Sequence, residues 1–418
     1  MAWFRLSLPK QIFIALIAGV GVGLLCKSMS ETNPELVKNI FFYLKLVGDA
    51  FLRLLKMLIV PLVFFTLAAG VTRMESPTSL RKVGGFIVLF YVGTATLAAA
   101  IGLGFGMLLQ PGVGAEGILG AAGNYKTPEG GYSFLANMVS WIPDNVVGAM
   151  ATANMLQIIF FSIFVGVVLL VMKEKVPTVV NLVREAGEIM IKITEYVMLV
   201  APYGIFALIA ILTATIGSKM LTEIMKFFVA DYLGCLVVLL IMYPVLLKYF
   251  KVPVLRFYKK IAPAMLIAAS TTSSAATLPM SMSIAEKDLG IPEPIYGFGL
   301  PLGNTANMNG MAVAIGVIAV FALGLHGQEV TFSSAVQIVY LGLILSIGAA
   351  GVKGGGIIIS AVLLEALGMD LALLPILAAI WPIIDIPHTT TNITGDLVGT
   401  TCCASHYNQL NEEIFNKD

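Results

Sequence analysis

Apolar runs long enough to cross a hydrocarbon core, which takes about 20 helical residues, recur along the whole chain. They begin at Ile12, Phe41, Gly85, Met155, Phe227, Met311 and Val339. Such a pattern leaves little choice of fold: the chain reads as an all-α polytopic membrane protein. The charge content agrees, since 12% of the 418 residues are charged and 58% are hydrophobic, whereas a soluble domain carries about 25% charged residues. The net charge is +1 with no basic block, which argues against nucleic acid as a partner. The four cysteines, Cys26, Cys235, Cys402 and Cys403, show neither metal-ligand spacing nor a disulfide framework. The run from Ile12 to Leu25 has no small-residue cleavage site behind it, and it reads as a first span, not a signal peptide.

Loop charge sets the orientation. Clusters at Lys248, Lys251, Arg256, Lys259 and Lys260, at Arg73, Arg81 and Lys82, and at Lys173 and Lys175 all face the cytoplasm if both termini are cytoplasmic and the number of crossings is even. Eight transmembrane helices fit the apolar segments. Two stretches remain, residues 262–284 and 333–367. The first contains ASTTSSAATLP (269–279) and the second the glycine-rich SIGAAGVKGGG (346–356). Irregular backbone at membrane depth survives only when buried in protein or lining a watery cavity, so each reads as a re-entrant helical hairpin with a non-helical tip. Each is followed by an apolar span with polar residues in its middle, NTANMNG (304–310) and DIPHTTTNITGD (385–396). Paired interrupted segments of this kind point to a transporter's binding site.

Geometry on the last span sharpens the reading. On a helix, Asp385, His388, Thr389, Asn392 and Asp396 fall at i, i+3, i+4, i+7 and i+11, one face, with Ile383, Ile386, Ile393 and Leu397 on the other. An aspartate at the bilayer centre costs about 2.5–3.5 kcal/mol, so these carboxylates face protein, water or a cation. The seventh span adds side-chain amides and an unwound turn around Gly303 and Gly310. Carboxylate and free carbonyl oxygens suit a hard cation, and half-helix N-termini at the hairpin tips suit an anionic group. A site that takes both together describes a symporter. The alternatives are an interhelical network that only holds the bundle together, and a channel, since re-entrant hairpins also build pores. The channel is disfavoured because the polar groups gather in one cluster and line no continuous path. Protease and phosphate-loop readings fail because residue 393 is isoleucine where an intramembrane protease needs glycine, and GVKGGG is followed by no G-K-[ST].

Several segments, in order, resemble the dicarboxylate/amino acid:cation symporters, the glutamate-transporter-type elevator transporters: GDAFLRLLKMLIVPLVF (48–64), APYGIFALIA (201–210), SSAATLP, NMNG, SIGAAGVKGGG and the N-x-T-G-D of the last span. The resemblance implies a homotrimer in the lipid bilayer of the cytoplasmic membrane, with a scaffold and a mobile transport domain in each protomer. Residues 1–75 (first two spans) and 131–220 (fourth and fifth) would be scaffold; 76–130 (third span and outer loop) and 221–418 (sixth span to the end) would be mainly transport domain. Carried over by motif, Asp385 holds a substrate amino group, and Asn392, Ser274 and Gly356 contact its main-chain carboxylate. Thr272, Ser273, Met311, Val352, Lys353, His388 and Thr389 complete the pocket. One sodium site is implied at Gly303, Asn307, Asn392 and Asp396, and a second at Thr305 with carbonyls of Ser346, Ile347 and Ala349. A third lies near Tyr91 and Thr94 with Asn307 and residue 309.

Departures from the family pattern shape the expected substrate. N-M-D-G-T becomes Asn307-Met308-Asn309-Gly310-Met311, which removes a charge from the third site and a hydroxyl from the pocket. The arginine that grips a second carboxylate in glutamate transporters is His388, and the position where some microbial members keep an arginine is Thr272. Arginine pairs bidentately and is always charged; histidine does neither dependably. With Asp385 retained, the favoured cargo is a small zwitterionic amino acid with a neutral side chain, taken up with sodium. The alternatives are an acidic amino acid, a C4-dicarboxylate, or sodium-independent exchange. Lys353 at the second tip either reaches to water or replaces a bound cation, and His388 either shapes the pocket as a neutral ring or couples transport to protons.

Overall fold

The computed structural model describes residues 8–72, 81–115, 139, 142–215, 218–348, 355–369 and 371–417. Among these, all long elements are helices: α1 (Leu8–Met29), α2 (Pro34–Thr72), α3 (Arg81–Leu109), α4 (Val146–Ala151), α5 (Met155–Met172), α6 (Pro177–Leu199), α7 (Ala201–Thr215) and α8 (Ser218–Val237). A π-helical turn, Val238–Met242, joins α8 to α9 (Tyr243–Tyr249). There follow α10 (Val254–Thr271), α11 (Ser274–Lys287), α12 (Glu293–Ala306), α13 (Asn309–Leu325), α14 (Phe332–Gly348), α15 (Gly355–Ala366), α16 (Leu374–His406) and α17 (Glu412–Asn416).

Among the described residues, five stretches are long and apolar enough to cross a membrane: Lys10–Met29, Pro34–Ala69, Lys82–Leu109, Met220–Tyr249 and Glu293–Leu325. The pair α6–α7, bent by 53°, makes a sixth. α5 is apolar but short, and α16 is 33 residues long but carries the polar residues of the last span through its middle. The eight expected spans are thus matched in part.

The helices sort by contact. α1 packs on α7, and α2 packs on α5, α6 and α7; α3 packs on α8, α13 and α14, while α16 touches α8 and α10 to α13. The two groups meet where α2 touches α14 and α15 and where α16 touches α1 and α7. Small residues set the closest approach. A Cβ on Gly102 of α3 would strike the backbone of Val313, and one on Gly316 would strike the backbone of Leu103. Backbones that close depend on van der Waals packing, the main source of helix association in lipid.

α10 and α11 pack against each other across a two-residue turn, Thr272–Ser273. The sequence suggested a non-helical tip over 269–279, and the difference has a local cause. Thr272 takes the left-handed region (φ 48°, ψ 41°) and reverses the chain at once. The Ser273 hydroxyl accepts from the Ala276 N–H at 3.3 Å and caps α11, and the Thr277 hydroxyl donates back to the Ser273 carbonyl at 2.9 Å. The Ser and Thr side chains therefore support the helix they were expected to interrupt. The segment read as the second hairpin supplies α14 and α15, which touch each other; its expected tip, including Ala349, Val352 and Lys353, lies outside the described residues.

α12 and α13 form a single broken rod in the centre. Asn307 (φ −124°, ψ 63°) and Met308 (φ −96°, ψ 65°) leave the helix between them, and every residue of α13 is buried. The break falls between Gly303 and Gly310, as the NTANMNG segment suggested.

Candidate substrate and cation site

The break in α12–α13 faces the polar middle of α16 and one turn of α3. Asp396 is 4% exposed, and its Oδ1 accepts from the Asn307 Nδ2 at 2.8 Å. Asn307 in turn accepts from the Thr94 hydroxyl at 3.3 Å. The Tyr91 hydroxyl donates to the Gly299 carbonyl at 3.0 Å. Gly303 lies under this cluster: a Cβ there would collide with the Asp396 carboxylate and come within 2.9 Å of the Tyr91 hydroxyl. Tyr91, Thr94, Gly303, Asn307 and Asp396 are thus brought together from three helices, with one carboxylate, two hydroxyls, an amide and the carbonyls of a broken helix. All of these are oxygen donors suited to a hard monovalent cation.

A second knot sits one turn away. Asn309 donates from Nδ2 to the Tyr243 hydroxyl at 2.8 Å, and Tyr243 donates to the Thr391 carbonyl at 3.0 Å. Asn309 therefore does not stand free beside Tyr91 and Thr94, although its buried Oδ1 has no partner among the described residues. Asn392 accepts from the Gly310 N–H at 2.7 Å. Gly310 itself lies against the backbone of His388, where a Cβ would clash with the main chain and not with a movable side chain. Gly310→Ala is therefore expected to force α13 off α16 at a cost of about 1–3 kcal/mol, read as a drop in thermal midpoint with uptake lost; an unchanged midpoint would contradict the close crossing.

The N-terminus of α15 meets this face at Gly356, where a Cβ would enter the Trp381 ring and come within 2.6 Å of the Met311 terminal methyl. Ser273, Ser274 and Thr389 are buried, and Asp385 is half-buried on α16. Two hydroxyls of the second expected cation site bond within their own helices. The Thr305 hydroxyl donates to Leu302 at 3.1 Å and the Ser346 hydroxyl to Leu343 at 2.8 Å, each on its own helix. Ile347 lies in the last turn of α14, and Ala349 lies outside the described residues.

His388 differs most from expectation. Its Nε2 lies 2.8 and 2.9 Å from the two carboxylate oxygens of Asp231 on α8, and the two side chains are 1% and 0% exposed. Trp381 covers the ring at a centroid distance of 5.8 Å. The residue read as a substitute for a substrate-gripping arginine thus has its outer nitrogen held by a buried aspartate. Asp231, Tyr243 and Trp381 were missed in the sequence. A signal for Asp231 existed: it is an ionisable residue inside the apolar run that starts at Phe227, and such a residue marks a functional site by default.

The sodium:dicarboxylate symporter family matches residues 8–406 of the chain. A protein of Bacillus caldotenax described as a proton/sodium-glutamate symport protein is 29% identical over 98% of this chain and 96% of its own length. C4-dicarboxylate transport proteins of Aeromonas salmonicida (28% identical, 98% and 95% covered) and Acinetobacter baylyi (29%, 97% and 93%) are similar over nearly the same extent.

Proposed function

Since the chain belongs to the sodium:dicarboxylate symporter family, whose members are transporters and not enzymes, we propose that it imports a small amino acid with a neutral side chain by cation-coupled symport. The observation that carries the substrate choice is the Asp231–His388 pair. A buried histidine bonded to a buried carboxylate forms a unit whose charges cancel, so position 388 presents no net positive charge to a second substrate carboxylate. Half-buried Asp385, one turn earlier on the same face, suits an ammonium group. The N-terminal turns of α11 and α15 suit a main-chain carboxylate.

The coupling ion follows from Asp396, whose surroundings supply oxygen donors and no side-chain cation among the residues described. Sodium at Gly303, Asn307, Asn392 and Asp396 is the first site in this reading. The hydrogen bond from Asn309 to Tyr243 supports a third site that sodium does not use, and protons remain the alternative coupling ion. The helix group of α1, α2 and α5–α7 would be the fixed scaffold and the group around α3, α13 and α16 the moving part of an elevator, in a homotrimer of the cytoplasmic membrane with both termini inside. The domain limits are those given by the sequence.

The second reading is an acidic amino acid or C4-dicarboxylate symporter, favoured by the names of the relatives. Thermal shifts of the purified protein separate the two, because a ligand that binds only the folded state raises stability by mass action. Neutral amino acids such as serine or alanine are expected to raise the midpoint in sodium, and succinate, fumarate and aspartate to leave it unchanged. A shift with the dicarboxylates alone would overturn the neutral-substrate reading.

A further inference from the structure

Asp231 and Cys235 stand one turn apart on α8, and His388 faces them from α16. One carboxylate oxygen, the thiol sulfur and one imidazole nitrogen all lie within 4.8 Å of one another, and all three side chains are buried. Sequence spacing hid this cluster, because His388 lies 157 residues from Asp231. We infer that Asp231, Cys235 and His388 form a binding site for one d-block divalent cation of the zinc class, distinct from the oxygen-lined site at Asp396.

The donor set carries the inference. Carboxylate, thiolate and imidazole are the three ligand types of zinc-class ions, and hard monovalent cations do not select sulfur or nitrogen. Zinc bonds of about 2.0–2.3 Å put tetrahedral ligand atoms about 3.3–3.8 Å apart. The carboxylate and imidazole, now at 2.8 Å, need only part by under an ångström, and the sulfur lies within 4.8 Å of both. The fourth position falls to a water or to Thr391. Its hydroxyl is buried and has no hydrogen-bond partner of good geometry among the described residues.

Charge favours the same ion. A divalent cation held by aspartate, thiolate and neutral imidazole gives zero net charge, the cheapest outcome in a low-dielectric interior. Coordination releases the thiol proton, and any second proton on the imidazole, to solvent; nothing is oxidised or reduced. The route in is the pocket face of α16, where half-buried Asp385 lies one turn from His388. An ion at this site replaces the Asp231–His388 hydrogen bond with coordinate bonds and holds His388 against α8, so zinc is expected to inhibit uptake.

The test uses the full-length chain in detergent, with any affinity tag removed, titrated with cobalt(II). The expected result is one equivalent bound, with a thiolate-to-cobalt charge-transfer band that zinc displaces. The band is expected to persist when Cys26, Cys402 and Cys403 are changed together to alanine and to vanish in Cys235→Ser. In proteoliposomes, zinc inhibition is expected to weaken at least about tenfold in Cys235→Ser. Absence of the band in the unaltered protein, or its survival in Cys235→Ser, overturns the inference. Should Cys235→Ser fail to fold, the variant that keeps only Cys235 decides: a band there supports the site and no band refutes it.

Discussion

Asp396→Asn is expected to weaken sodium-driven uptake sharply while leaving the helix packing intact. The substitution preserves shape and keeps an oxygen that can accept from the Asn307 amide, now bonded at 2.8 Å. What it removes is the negative charge of a carboxylate that is 4% exposed and, among the described residues, has no side-chain cation as hydrogen-bond partner. A charged interaction of this kind contributes about 1.5–3 kcal/mol, so the half-saturating sodium concentration should rise by about 10- to 100-fold. Stability without sodium should hold or rise, because a buried, unneutralised carboxylate is costly. Initial uptake rates against sodium concentration, with thermal midpoints in choline, check both parts. Unchanged sodium dependence in Asp396→Asn would remove this carboxylate from the coupling site.

Asp231→Ala should have the largest effect on stability. Removing one partner of a buried ion pair leaves the other uncompensated and costs about 3–5 kcal/mol, and neither side chain here has access to water. The double variant Asp231→Leu with His388→Leu should recover most of that loss, since a well-packed apolar pair of similar volume is often neutral or stabilising. A double-mutant cycle on thermal or denaturant midpoints isolates the coupling. A cost below about 1 kcal/mol for Asp231→Ala, in the range of an exposed ion pair, would mean that the two groups do not compensate each other, and the neutral-substrate reading would lose its support.

Polar residues at helical spacing in an apolar segment are too costly to be accidental, and that made the central elements legible. The face of α16 with Asp385, His388, Asn392 and Asp396, and the break at Asn307–Met308, were readable from residue types alone. The first tip was read as too long. Serine and threonine hydroxyls there bond to the backbone of their own helix, as Thr277 does to Ser273, and composition cannot separate that from an unwound loop. The partner of His388 was not legible because it comes from another helix, and a local pattern carries no such pairing. For the same reason the sequence spacing of Cys235 showed no metal site. The role of Lys353 stays with the sequence-based expectation, since 349–354 fall outside the described residues.

The most direct test of coupled import is uptake of a labelled neutral amino acid by proteoliposomes of the purified protein, with an inward sodium gradient or with choline in its place. Uptake above equilibrium in sodium, saturable, lost in choline and strongly reduced in Asp396→Asn, is the predicted result. Equal accumulation in choline, or uptake that never exceeds equilibrium, would contradict sodium-coupled symport.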